Sequence, residues 1–287
     1  MRRQRGLPLS ATCMLAPPNV YIFSIATLAS AGAAISTLEW IAGRRQLQDD
    51  GLFSWMVIGT RPSAVGTGPF AGSLNYLLSF HPFLSLLILR LVALMLLPVS
   101  LWFGRGALLM LSIVVLSSLL MHFRSPWGMD GSDQMLTQVF GALFLCTAAG
   151  SLLAAQAALW FIAGQACLSY ATAGIAKARS AYWHDGKAVF AIFNTRTYGY
   201  EPIARFLLAR PRTTKTLTWA AVVMESAFCL ALIAGYPGCL LFIAWGVAFH
   251  LMNAAVMGLN SFFWSFIATY PAVIYCSIAV AHFLRWN

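Results

Sequence analysis

With 287 residues, of which 60% are hydrophobic and only 9% charged, this chain is too apolar for a soluble domain. Soluble chains carry about 45–50% apolar and about 25% charged residues. Several apolar runs of roughly 18 or more residues instead predict a polytopic membrane protein. The formal net charge of +10 then places basic residues in loops beside the membrane, and a nucleic-acid surface is not expected. No two of the six cysteines form a C-x-x-C pair, which argues against thioredoxin-type and zinc-type sites.

Eight apolar segments are predicted to cross the membrane as helices, because each approaches the roughly 20 residues that a hydrocarbon core of about 30 Å requires. They cover residues 20–43, 84–102, 107–122, 134–153, 156–177, 216–235, 238–259 and 262–283. The first segment follows a basic start, Met1–Arg5, but is as long as a full span. We therefore expect it to be retained and not cleaved as a signal peptide. No internal repeat is evident, so residues 1–287 are predicted to form a single domain.

Two connections between the predicted spans are long, residues 44–82 and 179–215. The first contains Gly51–Ile58, which is apolar but too short to cross the membrane. The second contains Lys187–Phe193 and Ile203–Arg210, which are predicted to form amphipathic helices on the membrane or over the bundle. Basic residues concentrate in both connections, which favours an external amino terminus, whereas the basic start favours the reverse. The sequence leaves the orientation open.

Three charged residues outside the strongest patterns receive structural interpretations. Glu39 lies near the end of its span and is expected to pair with Arg44 or Arg90. Arg90 itself is expected to pair with a carboxylate or to extend to the headgroups. Asp133 is predicted to cap the fourth span, because an aspartate side chain accepts the unpaired amide protons of a helix start.

Glu225 and His250 lie near the centres of two consecutive predicted spans, where ionisable groups are costly. Glu225 shares a helical face with Thr218, Val222 and Cys229. In the next span, small and polar residues recur at i, i+4, i+7 and i+11, which places them on one face towards the bundle interior; they are Gly246, His250, Asn253 and Met257. Two alternatives remain. Glu225 and His250 form a hydrogen bond that only holds helices together, or they line a pocket.

Lys177 ends a long apolar run and is one of only three lysines in the chain. It shares a face with Cys167, Tyr170 and Gly174. Its amine either extends to the headgroups or points into the bundle. In the second case burial favours the neutral amine, which is a usable general base. Arginine could not take this role, because its guanidinium group keeps its proton in proteins. The following Trp183–Gly186 is either an interfacial anchor and turn or the mouth of the same cavity.

The order of these motifs resembles a known family. Ala173-Gly174-Ile-Ala-Lys177 followed by Trp183-x-x-Gly186-x-Ala188 resembles the membrane core of the vitamin K-dependent gamma-glutamyl carboxylase and its bacterial relatives, the HTTM superfamily. Further matches follow in the order of that family, and they are Gly131-Ser-Asp133, Glu225, His250 and Met257-Gly258-Leu259-Asn260 with Phe262. The likeness covers about residues 107–283, and more loosely residues 39–55.

The resemblance implies that Lys177 is a catalytic base that deprotonates a reduced quinone of the vitamin K type, with Glu225 and His250 around a quinone-sized cavity. The residues that we expect around this cofactor are Tyr170, Trp183, Asn253 and Met257. Two departures are visible, because Ala176 replaces a lysine of the carboxylase and the spacing from Lys177 to Trp183 is one residue longer. These 287 residues contain no counterpart of the carboxylase's extramembrane domain. They resemble more closely the sporulation-delaying protein B family, implicated in maturing exported peptide toxins, so gamma-carboxylation is not expected.

We therefore predict an all-α integral membrane protein with about eight transmembrane helices and interfacial amphipathic helices. The resemblance implies an enzyme of the bacterial cytoplasmic membrane that modifies an exported peptide or a lipophilic substrate. Lys177 would be the base, Glu225 and His250 would orient or polarise the substrate, and a reduced quinone would be the cosubstrate. Membrane lipids, a peptide substrate and a small partner protein encoded with it are the expected partners, and no metal site is expected. The alternatives are a non-catalytic scaffold, a peptide or lipid transport subunit, and a proton-coupled transporter, although no inverted repeat supports the last.

Overall fold

The computed structural model describes residues 16–60, 70–125 and 130–285, and within these ranges the chain is helical and contains no strand. The predicted all-α membrane bundle is confirmed. Residues 1–15, which include the basic start, lie outside the described ranges. The helices in chain order are α1 Pro18–Ala42, α2 Trp55–Ile58, α3 Ala71–Leu78, α4 Phe80–Trp102, α5 Ala107–Arg124, α6 Gly131–Ala149, α7 Leu152–Ala178, α8 Ala181–His184, α9 Ala188–Phe193, α10 Glu201–Leu208, α11 Pro211–Ala227, α12 Gly235–Met257 and α13 Asn260–Arg285. Short 3₁₀ helices cover Arg44–Leu47 and Phe228–Leu232.

Eight of these helices occupy the positions of the eight predicted spans. In the described part of the chain, seven are long and apolar enough to cross a membrane, namely α1, α4, α5, α7, α11 with the 3₁₀ turn that continues it, α12 and α13. The exception is α6, the predicted span 134–153. Its first two turns carry Asp133, Gln134, Thr137 and Gln138, which lower its hydropathy. It still packs inside the bundle, against α5, α7 and α13.

Consecutive long helices run in opposite directions, as their short turns require. The turns at residues 103–106, 150–151 and 233–234 therefore lie on one side of the bundle, and both long connections lie on the other. Helix α13 occupies the centre, where it packs against α1, α6, α7 and α12. The main hydrophobic core runs between these helices and includes the fully buried Ile25, Leu159 and Val273.

The two helices predicted in the second long connection are present as α9 and α10, and a further short helix, α8, precedes them. Phe193, Ala204 and Leu207 form a small buried cluster there, against which Met257 at the end of α12 packs. The connection is joined to α11 by polar contacts as well, since the Thr214 hydroxyl lies 2.8 Å from the Leu207 carbonyl oxygen. One side of the first turns of α11, which carries the buried Thr214 and Thr218, is thus attached to the interfacial layer.

Arg90 does not pair with a carboxylate, contrary to one sequence expectation. It is 6% exposed, and neutral acceptors on α1 and α5 surround its guanidinium. Arg90 Nε donates to Thr37 Oγ1 at 3.1 Å, and Nη1 lies 2.9 Å from the Val114 carbonyl oxygen, 3.0 Å from Ser117 Oγ and 2.6 Å from Ser118 Oγ. Arg90 therefore joins three helices through hydroxyl and carbonyl oxygens.

Two other expectations about charged residues are corrected. Asp130, and not Asp133, caps α6, because the helix begins at Gly131 and the Asp130 carboxylate accepts hydrogen bonds from the amides of Ser132 and Asp133 at 2.9 Å each. Asp133 lines a small cavity of about 50 Å³ together with Arg90. Glu39 is exposed, and within the described ranges it forms an ion pair with neither Arg44 nor Arg90.

Candidate functional site

The Lys177 amine points into the bundle and pairs with the Glu225 carboxylate. Lys177 lies in the last turn of α7, and Glu225 lies in the fourth turn of α11. Lys177 Nζ forms an ion pair with Glu225 Oε2, and the two side chains are 22% and 4% exposed. This geometry decides between the two orientations that the sequence allowed. The amine does not extend to the headgroups.

A glycine on α7 makes this pairing possible. A Cβ atom built on Gly174 would lie only 2.8 Å from the Ser226 Cα of α11, closer than non-bonded carbon atoms approach. The absence of a side chain at Gly174 lets the two helices come together one residue from Glu225. Lys177 follows Gly174 by three residues, so it lies on the same side of α7.

Trp183 covers the amine from the interfacial side. Lys177 Nζ lies 5.2 Å from the centroid of the Trp183 ring, within the range of a cation–π interaction. Helix α8 is held beneath the end of α7 by a hydrogen bond between a His184 ring nitrogen and the Ala178 carbonyl oxygen. The Trp183–Gly186 motif therefore contacts the Lys177 amine directly. That contact fits its interpretation as the mouth of the site.

His250 belongs to a hydrogen-bonded chain of three side chains from three helices. His250 Nε2 lies 2.8 Å from the Tyr170 hydroxyl, which lies 2.7 Å from the Tyr270 hydroxyl. Gly246 leaves room for this chain, because a Cβ atom there would overlap the Tyr270 hydroxyl and lie 3.1 Å from the Tyr170 hydroxyl. The second ring nitrogen, His250 Nδ1, is buried and has no hydrogen-bond partner among the described residues.

Aromatic rings pack against this chain. The Tyr170 ring stacks on Phe228 with centroids 3.9 Å apart, and the His250 ring stacks on Phe266 at 4.4 Å. Tyr170 lies seven residues before Lys177, or about 10 Å lower on the same face of α7. The Lys177–Glu225 pair and the His250 chain thus form two levels of one polar strip inside the bundle.

The structure separates the predicted site residues into two groups. The first group consists of two residues of α7 and the side chains that contact them. Lys177 contacts Glu225 and Trp183, and Tyr170 contacts His250. Met257 packs instead with the interfacial cluster around Phe193, and Asn253 is half-buried. Glu225 and His250 form no direct hydrogen bond with each other. The Glu225 carboxylate is hydrogen-bonded to Lys177, and the His250 imidazole is hydrogen-bonded to Tyr170.

Sequence reasoning missed Tyr270, Phe228 and Phe266. Tyr270 completes the hydroxyl chain, and the two phenylalanines fix the rings of Tyr170 and His250. Tyr270 and Phe266 are spaced i, i+4, so they share a face of α13. That spacing was the available signal, but single aromatic residues in an apolar span are more commonly packing residues.

The arrangement suits proton transfer. A carboxylate hydrogen-bonded to an ammonium group can exchange one proton with it, and the Lys177 side chain is 22% exposed. In the part of the chain that the structure describes, no group of three or more His, Cys, Asp or Glu side chains could hold a metal ion.

Fold and site together define an all-helical integral membrane protein with a polar strip beneath an interfacial helical layer. No family model, curated protein or solved structure matches this chain.

Proposed function

We propose that this protein is an integral-membrane enzyme in which Lys177 acts as a general base on a lipophilic substrate. The supporting observation is the inward orientation of the Lys177 amine, which is paired with Glu225 and lies over the Trp183 ring while its side chain stays partly exposed. A lysine that only anchored the helix would be expected to extend to the headgroups.

The Glu225 carboxylate provides the means to make the amine basic. Charge separation is costly in a site with little water, so a proton can pass from the Lys177 ammonium to Glu225 and leave a neutral amine. The amine can then accept a proton from a weakly acidic hydroxyl of the substrate. Glu225 holds the displaced proton, and Trp183 limits the access of water.

A reduced quinone is the cosubstrate class that we propose, and the residues present fit it. Its phenolic hydroxyl can donate a proton to the Lys177 amine, and its ring can stack on the Trp183 ring. The buried Nδ1 of His250, which has no partner among the described residues, offers a second polar contact. When bound, a reduced quinone supplies two electrons and a weakly acidic proton. Only the resemblance to the carboxylase family supports a peptide substrate, a small partner protein and a bacterial cytoplasmic membrane, and these remain proposals.

The test compares two lysine-to-arginine substitutions in protein reconstituted in lipid nanodiscs. The probe is a reduced naphthoquinone of the vitamin K type in the presence of air, and its consumption is followed by chromatography against empty nanodiscs. Lys177→Arg should lower the rate about 100-fold or more, because a guanidinium group cannot serve as a base. Lys187→Arg is the matched control, since Lys187 is exposed and pairs with Asp185 at 3.0 Å; it should react as the unmodified protein does.

Two results would contradict the proposal. If Lys177→Arg consumed the quinol at the unmodified rate, Lys177 would not be the base. If the unmodified protein consumed it no faster than empty nanodiscs, this quinol would not be the cosubstrate.

A scaffold is the second candidate, and one observation favours it. The Lys177–Glu225 pair joins α7 to α11 where the helices lie close together beside Gly174, so it also stabilises the bundle. A scaffold would consume no quinol, and Lys177→Arg would keep its fold because arginine preserves the ion pair. Quinol consumption by the unmodified protein, together with its loss in Lys177→Arg, therefore separates the two candidates.

A further inference from the structure

The outward face of α11 carries a shallow, open groove of about 720 Å³, and all of its lining residues belong to α11. Its lining residues recur along one helical face at i, i+3, i+4, i+7, i+8, i+11 and i+12; they are Arg212, Lys215, Thr216, Trp219, Ala220, Val223 and Met224. The opposite face of α11 is buried and carries Thr218, Val222 and Glu225. The groove is therefore separate from the Lys177 site and faces away from the bundle.

One end of the groove is cationic and lacks acidic partners. Within the described ranges, neither Arg212 nor Lys215 forms an ion pair. The two acidic residues of the neighbouring connection are already engaged, since Asp185 pairs with Lys187 and Glu201 pairs with Arg205. Two positive charges at the mouth of this groove thus remain available to an anion.

The stem of Lys215 is fixed beside the groove. Lys215 packs against Gly186, where an added Cβ atom would lie 2.6 Å from Lys215 Cγ. Gly186 also has a positive φ of 75°, which favours glycine. The close contact between the loop and the lysine stem holds the cation at the start of α11.

The other end of the groove is apolar. Trp219 lies at its middle, with its ring centroid 5.2 Å from that of His184, and Val223 beyond it is 54% exposed. Tryptophan prefers the boundary between headgroups and hydrocarbon. From Arg212 to Met224 the helix rises about 18 Å, so the groove passes from cationic to aromatic to aliphatic in the order of a phospholipid's phosphate, glycerol and acyl chain.

We propose that this groove binds one anionic glycerophospholipid. Its phosphate contacts Arg212, Lys215 and Thr216, and its acyl chain lies along Trp219 and Val223. The net negative charge of the headgroup meets two cations that form no ion pair with the described residues, and this complementarity selects anionic over zwitterionic lipids. A free phosphate ion would leave the apolar half of the groove unused. This inference does not depend on the proposed function.

Native mass spectrometry of the full chain in detergent tests the proposal, with equimolar phosphatidylglycerol and phosphatidylcholine as probes. The unmodified protein should retain phosphatidylglycerol in preference. In the double variant Arg212→Gln/Lys215→Gln, the ratio of bound phosphatidylglycerol to bound phosphatidylcholine should fall about 25-fold, about fivefold for each basic residue. The control is Lys187→Gln/Arg205→Gln, which removes the same charge from the same connection but from residues that already pair with carboxylates. It should change the preference by less than about threefold.

A second measurement locates the lipid without any substitution. Phosphatidylglycerol with a photoreactive group on its acyl chain should label the stretch of α11 around Trp219–Met224 in the unmodified protein. Equal retention of the two lipids, equal losses in the two double variants, or labelling confined to other helices would each overturn the proposal. If the groove variant does not fold, the labelled positions alone decide.

Discussion

Arg90 and Lys177 are two of the cations that lie inside this bundle, beside the fully buried Arg124, and they are held in opposite ways. Arg90 is 6% exposed, and its guanidinium contacts hydroxyl and carbonyl oxygens of α1 and α5, with no carboxylate in an ion pair. Lys177 is 22% exposed and contacts a single carboxylate, with an aromatic ring over its amine. One group is surrounded by neutral acceptors, and the other faces one acidic partner.

The difference indicates which of the two cations can take part in proton transfer. An arginine keeps its proton in proteins, and its several donors can join several helices at once. A lysine can release its proton, and a neighbouring carboxylate can receive it. The contacts of Arg90 therefore fit a residue that stabilises the packing of α1, α4 and α5, whereas those of Lys177 fit a residue that exchanges a proton. Three measurements can sharpen or break this contrast.

The largest expected effect is on stability at Arg90. Arg90→Ala should lower the free energy of unfolding by about 3 kcal/mol, because it removes several hydrogen bonds and leaves buried hydroxyls without a donor. Arg90→Lys should have an intermediate effect, since an ammonium group keeps the charge but not the fork of donors. Unfolding in mixed micelles by titration with a denaturing detergent measures both. An unchanged stability of Arg90→Ala would mean that these contacts are dispensable.

The second effect is the coupling between Lys177 and Glu225. A double-mutant cycle with Lys177→Met and Glu225→Gln should give a coupling energy of about 1–2 kcal/mol, because the two groups are in contact and largely buried. The matched cycle pairs Arg90→Lys with Asp133→Asn, two residues that line one cavity without an ion pair. Its coupling should stay below about 0.5 kcal/mol. Equal values from the two cycles would remove the distinction between the cations.

The smallest effect concerns the hydroxyl chain at His250. Tyr170→Phe should cost about 1 kcal/mol, because its hydroxyl contacts both His250 and Tyr270. Tyr270→Phe should cost less, since Tyr270 occupies the end of the chain and removal of its hydroxyl leaves the contact between Tyr170 and His250. Thermal unfolding of the two variants in the same detergent compares them. A larger loss for Tyr270→Phe would show that the order of the chain is wrong.

The bundle could be predicted because its signal is local. Each span is a continuous apolar run, and the short turns and long connections follow from residues that interrupt those runs. The starts of helices were less accurate. Helix α6 begins at Gly131, three residues before the predicted span, and for this reason Asp130 and not Asp133 is its cap.

The site was only partly predictable because its contacts join distant helices. The spacing of residues placed Lys177, Glu225 and His250 on inward faces, but it could not show which would touch. Tyr170 lies against His250, and Lys177 takes the carboxylate, so the direct bond between Glu225 and His250 does not form. The acceptors of Arg90 were hidden for the same reason, since Thr37, Ser117 and Ser118 belong to two other helices.

The attachment of the start of α11 to the interfacial layer has a mechanical consequence. Thr214 contacts the carbonyl of Leu207 in the interfacial layer, and Glu225 lies eleven residues further along the same helix. A helix is stiff along its axis and transmits displacement as a rigid element. A displacement of the interfacial layer therefore moves the Glu225 carboxylate relative to the Lys177 amine on α7, although the displacement begins about 16 Å away along the helix.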